Sequence, residues 1–68
     1  MDHEVVNVTW LYEDECDVTI LCRSAGRRFT LHSVTFRDGD TVTVRCPYCN
    51  AKIYLEPVAW VKVANEEV

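Results

Sequence analysis

Cys46-Pro47-Tyr48-Cys49-Asn50 constrains this chain more than any other stretch. Two cysteines separated by two residues across a tight turn point both sulfurs into one concavity. Backbone N–H groups in such a turn can hydrogen-bond the thiolates. That is how half of a tetrahedral zinc site is built, with Zn–S near 2.3 Å. A redox dithiol shares the spacing, but it normally opens a helix whose dipole lowers the thiol pKa. Here Asn50-Ala51-Lys52 leads into the branched run Ile53-Tyr54-Leu55, so a strand is expected to follow. Two unliganded thiols in a turn are the plainest alternative.

Size makes a staple valuable. A chain of 68 residues buries only about 60% of its unfolded surface, and burial alone roughly cancels the entropy of ordering it. A structural zinc contributes roughly 10–16 kcal/mol of apparent binding energy. Two further cysteines, Cys16 and Cys22, are available. No basic segment followed by an apolar stretch marks a secretory signal, so a cytoplasmic location is expected, where close cysteines favour metal or redox chemistry over structural disulfides. No apolar run approaches the roughly 20 residues of a membrane helix, and no membrane partner is expected.

The chain reads as all-β, a single domain over residues 1–68 with a small antiparallel sheet of five or six short strands. Val6, Val8, Trp10 and Tyr12 alternate with Asn7, Thr9 and Leu11, and Val18, Ile20 and Cys22 resume the alternation. The acidic run Glu13-Asp14-Glu15-Cys16-Asp17 reads as a loop, and Arg23-Ser24-Ala25-Gly26 as a turn. After Phe29 and Leu31 the apolar phase jumps to Val34 and Phe36, which predicts a bulge near His32-Ser33. Arg37-Asp38-Gly39-Asp40 reads as a hairpin turn. Val42, Val44 and Cys46 leave it, Ile53 and Leu55 open a last strand, Val58 to Val63 is no helix, and Asn65 to Val68 is expected to fray.

The stretch from Thr19 to Leu55 resembles a small two-knuckle zinc ribbon. Leu21-Cys22-Arg23-Ser24-Ala25-Gly26-Arg27-Arg28-Phe29 matches the first knuckle, around residues 22–29. Arg45-Cys46-Pro47-Tyr48-Cys49-Asn50-Ala51-Lys52-Ile53 matches the second, around residues 45–53. The second is intact. The first departs from the pattern, because Ala25 stands where a second cysteine belongs and alanine cannot bind metal. The resemblance therefore implies a structural Zn2+ with three ligands: Cys22, Cys46 and Cys49.

The fourth ligand is open. Pairing Phe36 with Val42 and Val34 with Val44 across the Asp38-Gly39-Asp40 turn puts His32 opposite Cys46, close enough to complete a set of three thiolates and one imidazole. A one-residue slip sends His32 to the other face. Cys16 is the other candidate, but an extended segment 17–21 would hold it roughly 20 Å from Cys22. Asp17 or an exogenous ligand also remains. His3 is expected to be solvated near the chain terminus.

Catalysis is not expected. Ser24 and Ser33 have no evident base beside them, and three thiolates make any bound zinc a weak Lewis acid. The expected function is a non-enzymatic interaction module, an accessory or regulatory protein that binds a protein partner in transcription or nucleic-acid-processing machinery. A small phage or bacterial regulator fits the same reading. Charge is unevenly spread: residues 1–20 carry six acids and no Lys or Arg, while residues 21–52 carry six cations against two acids. Arg23, Arg27 and Arg28 with Tyr48 border the knuckles and are the expected partner-binding residues, with the Glu13–Asp17 loop beside Trp10 and Tyr12 as the other candidate surface, for a basic partner; the basic rim keeps a nucleic-acid-binding ribbon open as a second reading. A metal-free thiol redox protein using Cys46 and Cys49 is the third.

Overall fold

Cys16, Val18, Ile20 and Cys22 alternate along one strand; all four are fully buried, while the residues between them are partly exposed. That period of two makes their strand the spine of the fold. The computed structural model describes residues 2–58 and 60–67. Its strands are β1 (His3–Trp10), β2 (Glu15–Cys22), β3 (Arg27–Thr35), β4 (Val42–Arg45), β5 (Lys52–Glu56) and β6 (Lys62–Glu67). They form two three-stranded antiparallel sheets, ordered β1-β2-β3 and β4-β5-β6. Among the described residues, no helix is long and apolar enough to cross a membrane.

The all-β, antiparallel expectation holds, but the strands divide into two sheets. The pairing of Phe36 with Val42 and of Val34 with Val44 does not form, because β3 and β4 lie in different sheets. Val34 and Phe36 are both buried, and the Phe36 N–H donates to the Asp14 carbonyl at 2.8 Å, tying the chain to the β1–β2 turn. Arg37–Gly39 then makes a single 3-10 turn. Asp38 (φ 54°) and Gly39 (φ 76°) both take left-handed backbone there, and the Asp40 N–H returns to the Arg37 carbonyl at 2.9 Å. The chain leaves this turn into the second sheet.

The bulge expected near His32-Ser33 is present. The β2–β3 register slips between Cys16 and Val18, and Ser33 takes φ 57°. Asp17 Oδ1 accepts the Ser33 N–H at 2.9 Å, which satisfies a donor that the slip leaves outside the ladder. A second bulge interrupts the β1–β2 register between Val5 and Asn7.

One apolar core serves both sheets. The four inward residues of β2 meet Val34 and Phe36 from the first sheet side and Cys46, Ile53, Leu55, Val61 and Val63 from the second. The expected fraying from Asn65 is corrected: Asn65 pairs with Tyr54 and Glu67 with Lys52 in the β5–β6 ladder. Val68, like Ala59, lies outside the described residues. The Glu66 end of β6 comes to lie against the start of β1, beside both cysteine turns.

Candidate metal centre

Three segments distant in sequence deliver four ligand groups to one point. In the β1–β2 ladder His3 stands directly opposite Cys22, so both side chains turn to the same face. The second turn is set by its own backbone. The Cys46 N–H donates to the Ala51 carbonyl at 2.9 Å and the Asn50 N–H to the Cys46 carbonyl at 3.0 Å. Asn50 supplies the left-handed residue that closes the turn, at φ 63°, and Arg45 Nη1 caps the Asn50 carbonyl at 2.8 Å. Cys46 and Cys49 thereby face His3 and Cys22. The His3, Cys22, Cys46 and Cys49 ligand atoms all lie within 4.8 Å of one another. His3 Nε2 and Cys49 Sγ are 3.4 Å apart.

The donor set fits a tetrahedral ion. With M–S near 2.3 Å and M–N near 2.0–2.1 Å, ligand atoms of such a site are spaced about 3.5 Å apart. A contraction of the cluster from its present spacing, up to 4.8 Å, would close it around a metal. The second sphere is also in place. Tyr48 N–H donates to Cys46 Sγ at 3.4 Å, Cys49 N–H donates to the same sulfur, and the Ala25 and Ala51 N–H groups donate to Cys22 and Cys49. Each turn thus presents backbone donors to its sulfurs, as the CxxC spacing predicts for the second. Glu66 supports the imidazole. Its Oε2 accepts His3 Nδ1–H and the His3 backbone N–H, both at 3.1 Å, while Oε1 accepts the Asp2 N–H at 2.7 Å. With Nδ1 held by a carboxylate, Nε2 is the nitrogen turned toward the sulfurs.

The electrostatics match a cation between the thiols. A hydrogen bond from Ser24 Oγ, helped by the Ala25 N–H, pulls the Cys22 thiol down to about 6. Burial raises the Cys46 thiol, but the Cys49 and Tyr48 N–H groups and His3 outweigh it, and the net shift is downward. The Ala51 N–H lowers Cys49, yet burial and the neighbouring Cys46 and Cys22 leave it above the ordinary thiol range. Burial disfavours the His3 imidazolium, but Cys46 and Glu66 more than compensate and its pKa is raised. Three thiols this close cannot all ionise without a positive charge among them.

The structure brings together three of the four groups that the sequence points to, Cys22, Cys46 and Cys49, and sets His3 where His32 was expected. His32 lies on β3 with its side chain 76% exposed and Nδ1 3.5 Å from Asp17 Oδ2, so it is not part of the cluster. The register that would have carried it to Cys46 required β3 and β4 to pair, and they do not. Cys16 is buried at the opposite end of β2 from Cys22, and burial pushes its thiol up. His3 is 3% exposed, not solvated. The signal that could have found it was cross-strand: the Glu13-Asp14 turn folds β1 back along β2 and brings the two strand ends together.

Arg27, Arg28 and Tyr48, three of the residues expected at a partner surface, lie against one another beside the cysteine turns. Arg27 sits over the Tyr48 ring at 5.5 Å, Phe29 meets that ring edge-on with centroids 6.1 Å apart, and Tyr48 Oη donates to the Arg28 carbonyl at 3.2 Å. Arg23 pairs with Glu4 at 3.0 Å. Comparison of the chain with protein-family models, curated proteins and solved structures finds no match. Fold and site together define a class: a small all-β protein with a cluster of three cysteines and one histidine that can hold a metal ion.

Proposed function

We propose that this chain is a zinc-ribbon-like interaction module in which His3, Cys22, Cys46 and Cys49 hold one structural Zn2+, and whose surface binds a protein partner. The observation that carries the reading is the convergence of the four ligand atoms within 4.8 Å, backed by N–H donors at each cysteine. Soft thiolates with one imidazole in a tetrahedral arrangement favour zinc among the common divalent ions. Four protein donors would fill the ion's coordination shell, leaving no position for a substrate or an activated water. That supports a scaffold role over catalysis. The resemblance to zinc ribbons suggests an accessory or regulatory role in transcription or nucleic-acid processing.

Cobalt titration tests the metal half of this reading. Co2+ added to reduced, metal-free protein is expected to bind at one equivalent, to give the intense visible bands of a tetrahedral thiolate site, and to be displaced by Zn2+. A weak octahedral spectrum, or no saturable binding, would contradict it.

A further inference from the structure

We infer that the β1–β2 hairpin tip, Trp10-Leu11-Tyr12-Glu13-Asp14, is the partner-binding surface, and that its partner is a protein carrying an apolar pocket rimmed by Lys and Arg. The inference rests on the interaction-module reading and moves its binding surface to the end opposite the knuckles. Three consecutive large apolar residues are exposed there: Trp10 by 42%, Leu11 by 45% and Tyr12 by 71%. Among the described residues, no hydrogen bond, ion pair or ring contact engages their side chains or those of Glu13 and Asp14.

The knuckle rim differs on this point. Arg27 and Tyr48 contact each other, Arg45 caps its own turn, and Lys52 lies over the Tyr54 ring at 5.9 Å. Those side chains are engaged with their own fold; the tip side chains are not.

The tip backbone is nevertheless fixed. The Leu11 and Tyr12 N–H groups both donate to the Glu15 carbonyl, at 2.9 and 3.1 Å, and the Asp14 carbonyl is held by Phe36. A fixed hairpin presents Trp and Tyr at a low ordering cost, and these are the side chains that dominate binding hot spots. Charge selects the partner. Glu13, Asp14 and Glu15 follow one another at the tip, and residues 5–20 include no Lys or Arg, a charge that repels nucleic acid and acidic surfaces and draws a basic one. The tip lies about 23 Å along β1 from His3, at about 3.3 Å per residue, so docking there leaves the metal centre untouched.

Selection of a random dodecapeptide display library on the zinc-loaded protein tests this. Enriched peptides are expected to combine aliphatic residues with two or more Lys or Arg. Measured by fluorescence anisotropy, their affinity is expected to fall at least tenfold in W10A/Y12A and in E13K/D14K and to be unchanged in R27E/R28E, with metal content the same in all. Binders that survive W10A/Y12A but are lost in R27E/R28E would overturn the hairpin assignment and leave an interaction module standing. Enrichment of no peptide would overturn both. A concentration-dependent dimer in sedimentation that E13K/D14K abolishes would replace the basic partner with a second copy of this chain, and so overturn the assignment as well.

Discussion

Glu66 holds three donors at once: the N–H groups of Asp2 and His3, and the His3 ring. It therefore fixes both the position of β1's first residue and the tautomer of its imidazole. Outer-sphere partners of this kind typically contribute 10–100-fold to metal affinity. E66Q keeps the size and loses the charge, and it is expected to weaken zinc binding by about that factor in a chelator competition while far-UV circular dichroism stays unchanged. Equal affinity would show that the carboxylate only ties down the chain start. Ala25 offers a complementary test. In the proposed zinc-ribbon reading it stands where a second cysteine would, and its N–H donates to Cys22 Sγ. H3A is expected to lose tight metal binding. H3A/A25C is expected to regain it, with the cobalt spectrum of a four-thiolate site in place of three thiolates and an imidazole. Failure of the rescue would mean that the first turn cannot present a thiol at that position.

β2 organises the elements, because both sheets pack on its inward residues. Ile20 is fully buried at its centre, so I20A is expected to cost about 2–5 kcal/mol, the usual range for such truncations. T19A, on the outer face where the Thr19 hydroxyl hydrogen-bonds that of Thr30 at 2.9 Å, is expected to cost under about 1 kcal/mol. Urea unfolding of the metal-loaded protein measures both, and comparable losses would remove β2 from the centre of the core. β2 was legible from Val18 to Cys22, where alternation is uninterrupted, but Glu15, Cys16 and Asp17 read as a loop because their acidic run hides the start of the strand. The register of β1 was not legible, because its bulge between Val5 and Asn7 shifts it by one. Extending the Trp10–Cys16 pairing without the bulge sets Glu4 opposite Cys22; with it, His3 takes that place. β3 failed differently. Its own bulge was readable from the apolar phase jump, whereas its separation from β4 depends on Phe36 being drawn to Asp14, a contact that no local pattern announces.

The whole molecule is two small sheets that share one core, clasped at one end by His3 and Cys22 from the first sheet and by Cys46 and Cys49 beside the second. A metal at that point would join segments separated by most of the chain. A structural zinc there would contribute roughly 10–16 kcal/mol, comparable to the whole stability of an ordinary domain. Its removal would leave three thiols crowded together without a counter-charge. Chelation of the reduced protein is therefore expected to abolish the dispersed amide spectrum of both sheets together, and zinc to restore it. Loss confined to the two turns, with the rest of both sheets intact, would show that the core stands alone.

Native mass spectrometry of the reduced protein tests the four-ligand centre most directly, run on the wild type beside H3A and H32A. One zinc per chain is predicted for the wild type and for H32A, with the ion lost or readily stripped from H3A. A folded wild-type chain carrying no metal, or an ion that depends on His32 and not on His3, would contradict the centre described here.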